Sequence, residues 1–293
     1  GTPGANDTEM HAILAEFNLP YRFDKSLEDA ADSISEAIGP AELKGRKDFR
    51  KTLTFTIDPA DAKDFDDALS FRRLENGNFE VGIHIADVSW YVRPGSDIDK
   101  EARDRGTSVY LVDRTVPMLP EKLCNKLCSL RQDEDKLTFS VVVAMTPKAE
   151  VKSRWIGRTV ICSDRRYAYE QVQEIIEKGE ATDPLSDAIL TLHKLASKLK
   201  TERSKKGAID FDRPEMKVEC DPDGKPLRVY QKISREANWL IEEFMLLANR
   251  TVAEFVATDG KMNAVQSKNA KTFVYRVHDE PNEIKLEGLR RFA

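Results

Sequence analysis

Asp58-Pro59-Ala60-Asp61-Ala62-Lys63-Asp64-Phe65-Asp66-Asp67 places five carboxylates within ten residues. The stretch lies between two apolar runs, Leu53 to Ile57 and Ala68 to Phe71. Like charges this close raise one another's pKa unless something positive sits among them. Strands on both sides would put the run at the end of a sheet. That placement points to divalent cations held by oxygen ligands.

The order of the remaining segments predicts the frame around this run. Thr8 to Phe17 and Ser26 to Ile38 have helical spacing. Asn76-Gly77 supplies the positive φ angles of a tight hairpin between strands Ala68 to Leu74 and Phe79 to Val92. Asp99 to Arg105 reads as a short helix, Thr107 to Val112 as extended, and Glu121 to Leu130 as a helix after a proline turn. Leu137 to Met145 and Val151 to Ser163 read as strands, and Arg165 to Lys178 as a helix. Asp183-Pro184 has the form of an N-cap with proline in the first turn, opening a helix that Gly207 ends. Ile209 to Phe211 is extended, and Val218 and Val229 flank a hairpin. Ser234 is expected to cap a long amphipathic helix running to Phe255, with a strand at Phe273 to Val277 and a helix at Glu283 to Phe292 beyond it. The expected fold class is α+β: a mixed, largely antiparallel sheet packed by helices, without internal repeats.

Three readings fit the acid run. An EF-hand loop is discarded, because Ala60 and Ala62 stand where ligands are needed and no glycine marks the turn. A plain acidic surface turn stays open. The third is a two-metal site for phosphodiester hydrolysis, in which cations about 4 Å apart stabilise the attacking and leaving oxygens. In an extended segment Asp64 and Asp66 would share a face while Phe65 packs the other way.

Composition narrows the alternatives. The chain has 293 residues, 40% hydrophobic, and no apolar run near the ~20 residues of a membrane helix. A signal-peptide pattern is absent from the sequence, so a cytoplasmic protein is expected. The four cysteines lack zinc spacing and read as ordinary thiols. A net charge of −5 argues against nucleic acid as a partner unless acids concentrate at one site. The basic clusters Lys44 to Lys51 and Lys198 to Lys206 read by themselves as solvated faces.

The run T-I-D-P-A-D-A-K-D-F-D-D-A-L resembles the signature of the RNB catalytic domain found in the ribonuclease II and ribonuclease R family. The resemblance continues through H-I-A-D-V-S-W-Y-V from His84, V-P-M-L-P-E-K-L-C-N-K-L-C-S-L from Val116, G-A-I-D-F from Gly207, L-I-E-E-F-M-L-L-A-N from Leu240 and R-V-H-D-E-P from Arg276. It implies a processive hydrolytic exoribonuclease that degrades single-stranded RNA from the 3′ end, uses Mg²⁺ or Mn²⁺ and releases nucleoside 5′-monophosphates. No small-molecule cofactor and no membrane are implied.

By motif position Asp58, Asp64, Asp66 and Asp67 are the implied active-site aspartates and metal ligands. Asp58 and Asp67 are the leading ligands, and Asp66 is the residue whose loss should stop chemistry. Tyr110 is the implied stacking partner of the 3′-terminal base, and Phe211 packs at the other end of the bound bases; core packing is the alternative for both. Glu243 is implied near the terminal ribose, with a plain solvent position as its alternative. His84 and His278 are expected to be structural, and Asp87 to support the acid cluster.

Residues 1–42 are expected to be a lead-in following a cold-shock-type domain, and 43–293 an RNB domain incomplete at its C-terminus. The family's S-P-I-R-R-Y-type segment, with its arginine, does not occur in this sequence. Residues 1–293 alone are therefore expected to bind Mg²⁺ weakly and RNA poorly and to turn over slowly or not at all, with cold-shock and S1 domains flanking them in the full-length protein. A non-catalytic RNA-binding relative and a DNA-directed or endonucleolytic metal nuclease are the competing readings.

Overall fold

The computed structural model describes residues 2, 4–112, 114–208, 215–221, 225–258, 271–275, 277 and 279–292. The chain forms two compact units, Gly1–Ala248 and Asn249–Ala293. In chain order the first holds helices α1 (Asn6–Glu16), α2 (Lys25–Asp32) and α3 (Pro40–Leu43), then strands β1 (Lys47–Asp48), β2 (Thr54–Asp58), β3 (Asp67–Arg73) and β4 (Phe79–Ala86). Next come α4 (Val88–Tyr91), α5 (Asp97–Arg105), β5 (Val109–Tyr110), β6 (Thr115–Val116) and a π-helical turn, Lys122–Leu127. Strands β7 (Asp135–Met145), β8 (Val151–Cys162) and β9 (Arg165–Ala168) are followed by α6 (Tyr169–Lys178), α7 (Pro184–Lys205), the ribbon β10 (Glu215–Cys220) and β11 (Pro226–Lys232), and α8 (Glu236–Ala257), whose residues from Asn249 on fall in the second unit. Helix α9 (Glu283–Phe292) belongs to the second unit and buries none of its residues.

Seven strands make the main sheet in the order β1-β8-β7-β4-β3-β2-β9. The ladders from β8 to β2 are antiparallel, whereas β1 on β8 and β9 on β2 are parallel. This is the mixed, largely antiparallel α+β fold that the segment order predicts. The β3–β4 hairpin turns at Gly77, whose φ of +78° favours glycine. In the ribbon, Val218 pairs with Val229, as the two valines predict. Asp183 caps α7 by accepting the Ser186 amide at 2.8 Å, and Gly207 follows the helix at φ +94°. Such a cap contributes about 0.5–2 kcal/mol.

Strand β2 is buried along its whole length, so it carries apolar residues on one face and hydroxyls on the other. Phe55 and Ile57 are sealed in the core, worth about 1.5–3 kcal/mol each by area. Thr54, Thr56 and Asp58 alternate onto the opposite face. A second core lies where Ala68, Ala86 and Val142 of the sheet meet Ala31, Ile98, Leu123, Leu127 and Leu130, with Phe65 packed against it. Helix α6 lies against β2, β9 and α7.

Five expectations change. The strand from Phe79 stops at Ala86, because Asp87 leaves the ladder at φ −81°, ψ 65° and turns into α4. Arg165 to Ala168 is a strand and not a helical turn, since a parallel place beside β2 outweighs local propensity. The second helix ends at Asp32, well short of Ile38. Helix α8 opens on Arg235, whose carbonyl takes the Asn238 amide and whose amide is held by Asn238 Oδ1, so Ser234 is not its cap. Phe273 to Val277 forms no strand among its described residues; Val274 is 91% exposed, and β-branched content makes no strand without a neighbour to pair with. Among the described residues no helix is long and apolar enough to cross a membrane.

Candidate active site

The acid run bridges adjacent strands: β2 ends at Asp58 and β3 begins at Asp67. The loop between them is tied down at several points. Ser129 Oγ donates to the Lys63 carbonyl at 2.9 Å and accepts the Phe65 amide at 3.1 Å. The Leu130 amide reaches the Phe65 carbonyl at 2.8 Å, and the Ala86 amide reaches the Asp66 carbonyl at 3.0 Å. Arg166, from β9, donates through Nη2 to the carbonyls of Pro59 at 2.7 Å and Ala60 at 2.8 Å. Phe65 packs into the core between Asp64 and Asp66, as their alternation predicts.

The carboxylates repel one another in a desolvated setting. Asp58 is 8% exposed. Its pKa is pushed up to about 7, first by burial and further by the charges of Asp67 and Asp66, with the Thr56 hydroxyl and Arg166 pulling the other way. Burial, then the charge of Asp66, raises Asp67 to about 6. Asp66 reaches solvent, yet the protein around it and then Asp64 raise its pKa as well. Tyr169, the first residue of α6, is pushed up to about 12 by burial, then by Asp58 and Asp67.

A divalent cation fits this donor set. Asp58 Oδ2 and Thr56 Oγ1, two positions apart on one strand face, are buried without hydrogen-bond partners of good geometry. Uncompensated buried carboxylate is costly, and a hard cation prefers oxygen ligands of this kind. Among the described residues, no three His, Cys, Asp or Glu side chains already converge into a metal cage. Magnesium commonly uses one or two carboxylates and leaves its other positions to water and substrate phosphate.

Tyr110 stands beside this loop. The residue is 68% exposed, and its hydroxyl donates to Asp64 Oδ2 at 3.2 Å. Core packing is thereby excluded for this residue. Glu243 occupies neither a solvent position nor the acid loop: it is buried on α8 and accepts from Arg203 Nη2 at 2.6 Å and Nε at 3.0 Å. Phe211 and His278 lie outside the described residues.

His84 is a structural residue, as its segment predicts. It is fully buried, with Nδ1 2.7 Å from Ser140 Oγ and Nε2 2.8 Å from Ser70 Oγ. Burial drives its pKa down to about 3, so it is neutral at pH 7. A Cβ at Gly82 would collide with Ser70 and His84, which accounts for glycine inside this strand. Asp87 does not support the acid cluster. Arg46 at 2.7 Å, Arg158 at 3.2 Å and Ser89 at 2.8 Å take its oxygens instead.

Three neighbours of the loop escape a reading of the sequence: Arg166, Ser129 and Tyr169. Arg166 follows β8 in a stretch that reads as helix, and its carbonyl partners stand 107 and 106 positions away. No local pattern marks a contact of that range.

Comparison with known proteins places this geometry in a family. The chain is 40% identical over 285 residues to Ribonuclease R 1 of Lactococcus lactis, covering 96% of this chain and 34% of that protein. It is 39% identical over 290 residues to Ribonuclease R of Thermotoga maritima, covering 97% of this chain and 39% of the relative. The chain thus spans little more than a third of these relatives. Among solved structures, Mycoplasma genitalium RNase R in complex with ribose methylated single-stranded RNA superposes with a TM-score of 0.87 at 26% identity, over 99% of this chain and 44% of that one. The RNB domain family model matches residues 46–293, and the chain belongs to the RNB domain family.

Proposed function

We propose that this chain carries the catalytic domain of a Mg²⁺-dependent (or Mn²⁺-dependent) processive exoribonuclease, hydrolysing single-stranded RNA from the 3′ end and releasing nucleoside 5′-monophosphates. The observation that carries the reading is Asp58, buried beside Asp66 and Asp67 with one oxygen lacking a hydrogen bond of good geometry, in a loop whose Asp64 holds the exposed Tyr110. The relatives named ribonuclease R and the RNA-bound RNase R structure support RNA as the substrate.

In this reading Asp58 and Asp67 are the principal cation ligands, with Asp64 and Asp66 completing the set. Cations bound there would activate water and stabilise charge on the scissile phosphate. Tyr110 offers its ring to the terminal base, and stacking of this kind contributes about 1–3 kcal/mol per base whatever the base. Its hydroxyl on Asp64 links the base seat to the acid loop, so the 3′ end is placed relative to the carboxylates. Phe211 is proposed at the far end of the bound bases. Glu243, paired with Arg203, is proposed to meet the terminal 2′-hydroxyl, which distinguishes RNA from DNA. Residues 1–42 are proposed to lead in from a cold-shock-type domain and 43 onward to form the catalytic domain, with an S1 domain elsewhere in a cytoplasmic full-length protein.

The test uses the full-length protein on 5′-labelled single-stranded RNA, with and without Mg²⁺, beside Asp66→Asn. Stepwise 3′ shortening that requires the cation and vanishes in the variant is expected. Internal cuts, or undiminished activity in Asp66→Asn, would sink the proposal.

A further inference from the structure

Arg166 sits on strand β9, which runs parallel to β2 with Thr56 opposite Arg166 and Asp58 opposite Ala168. The register puts Arg166 on the sheet face that Thr56 and Asp58 share. Its Nη2 spans the Pro59 and Ala60 carbonyls, the first two after Asp58. Its guanidinium lies 5.3 Å from the centre of the Phe65 ring. At the other end, Ser129 fixes Lys63 and Phe65 on either side of Asp64. Between these anchors the loop makes one internal turn, the Ala62 amide on the Pro59 carbonyl. Two distant elements therefore set the separation of Asp58 and Asp64.

A guanidinium on two carbonyls is a directional restraint, because its donors form a rigid planar fork. A point charge near Asp58 would need neither carbonyl. Arg166 Nε is buried without a partner, alongside Thr56 Oγ1 and Asp58 Oδ2. Leaving a buried donor unmet is costly, so packing and the two carbonyl bonds must hold the side chain here against that cost.

We propose that Arg166 is a positioning residue: with Ser129 it clamps the acid loop so that Asp58 and Asp64 are presented together to a divalent cation. The proposal rests on the cation-dependent reading above. Groups that orient metal ligands without touching the metal typically change affinity 10–100-fold when lost.

The experiment takes the full-length protein as wild type, Arg166→Gln, Arg166→Lys and Ser129→Ala. Backbone hydrogen exchange is measured in chelator, Mg²⁺ binding by calorimetry, and 3′ trimming as a function of Mg²⁺ concentration. Arg166→Gln is expected to speed exchange across residues 60–65 while the sheet stays protected. Its Mg²⁺ half-saturation should rise about 10–100-fold, with most turnover returning as Mg²⁺ is raised. Lysine restores the charge but not the fork, so Arg166→Lys should resemble the glutamine variant. Unchanged exchange and Mg²⁺ affinity in Arg166→Gln, or full rescue by lysine, overturns the clamp. If Arg166→Gln does not fold, Ser129→Ala decides the question from the other end by the same two readouts. A wild type that binds Mg²⁺ but trims no RNA refutes the exoribonuclease reading and leaves the clamp to be judged by exchange and binding.

Discussion

Replacing Asp58 with asparagine should stabilise the metal-free chain, and more so in alkali than in acid. A carboxyl whose folded-state pKa lies above its unfolded value favours folding below the unfolded pKa and loses that contribution as pH rises through the folded value. For Asp58 the window runs from 3.8 to about 7. At about 1.4 kcal/mol per pH unit, the side chain costs on the order of 4 kcal/mol at pH 8, where the fold holds it ionised, and about 1.5 kcal/mol at pH 5, where the fold holds it protonated while the unfolded chain ionises. The asparagine side chain does not titrate. The variant's gain over wild type should therefore be roughly 2–3 kcal/mol larger at pH 8 than at pH 5, and the relief of Asp66 and Asp67 when their neighbour loses its charge is part of that gain. His84 works in the opposite direction: with its pKa lowered from 6.5 to about 3, it favours the fold at high pH and costs stability as pH falls below 6.5. That contribution is common to both proteins and cancels in the comparison.

The assay is urea unfolding of both proteins in chelator at the two pH values, repeated with Mg²⁺ at pH 8. Cation at 100 times its Kd should restore about 2.7 kcal/mol to wild type and less to Asp58→Asn. An identical Asn-for-Asp difference at pH 5 and pH 8 would refute the claim that this carboxylate is buried in repulsion.

Tyr110→Ala should weaken binding of single-stranded RNA by about 1–3 kcal/mol in a fluorescence anisotropy titration. Its melting temperature should stay close to wild type, because the residue is 68% exposed. Asp87→Asn breaks a fully buried pair with Arg46 and should cost about 3–5 kcal/mol of stability by urea unfolding; Mg²⁺ binding should be little affected, since Asp87 is bound away from the acid loop.

Features written over short distances were legible in the sequence. The Asn76-Gly77 turn, the Asp183 cap with Pro184 and the alternation of Asp64, Phe65 and Asp66 each depend on neighbours within a few residues. The acid run could be placed between strands because apolar segments flank it on both sides. Tyr110 was another matter: an aromatic in a short extended segment looks the same whether it faces core or solvent, and the family resemblance alone separated the two. The setting of Asp87 is not written in its own segment, because its partners Arg46 and Arg158 stand on other strands and connections, 41 and 71 positions away. Arg165 to Ala168 reads as helix from its composition and becomes a strand because β2 offers it an edge. Glu243 shows the same limit, since its buried setting is decided by Arg203, 40 positions earlier.

The parallel place of β9 also sets an order of events in chain growth. Strands β2, β3 and β4 are near neighbours in sequence and can pair as soon as they are made, whereas contacts of high sequence separation form late. Pro59 must wait for Arg166, 107 residues downstream, which at ~5–20 residues per second is roughly 5–20 s of synthesis. Lys63 gains Ser129 earlier, 66 residues on. During that interval the carboxylates are present and flanked by strands, but the loop that carries them is anchored at one end only. Assembly of the site is thus ordered by topology, and the Asp58 end of the acid loop is secured after the Asp64 end.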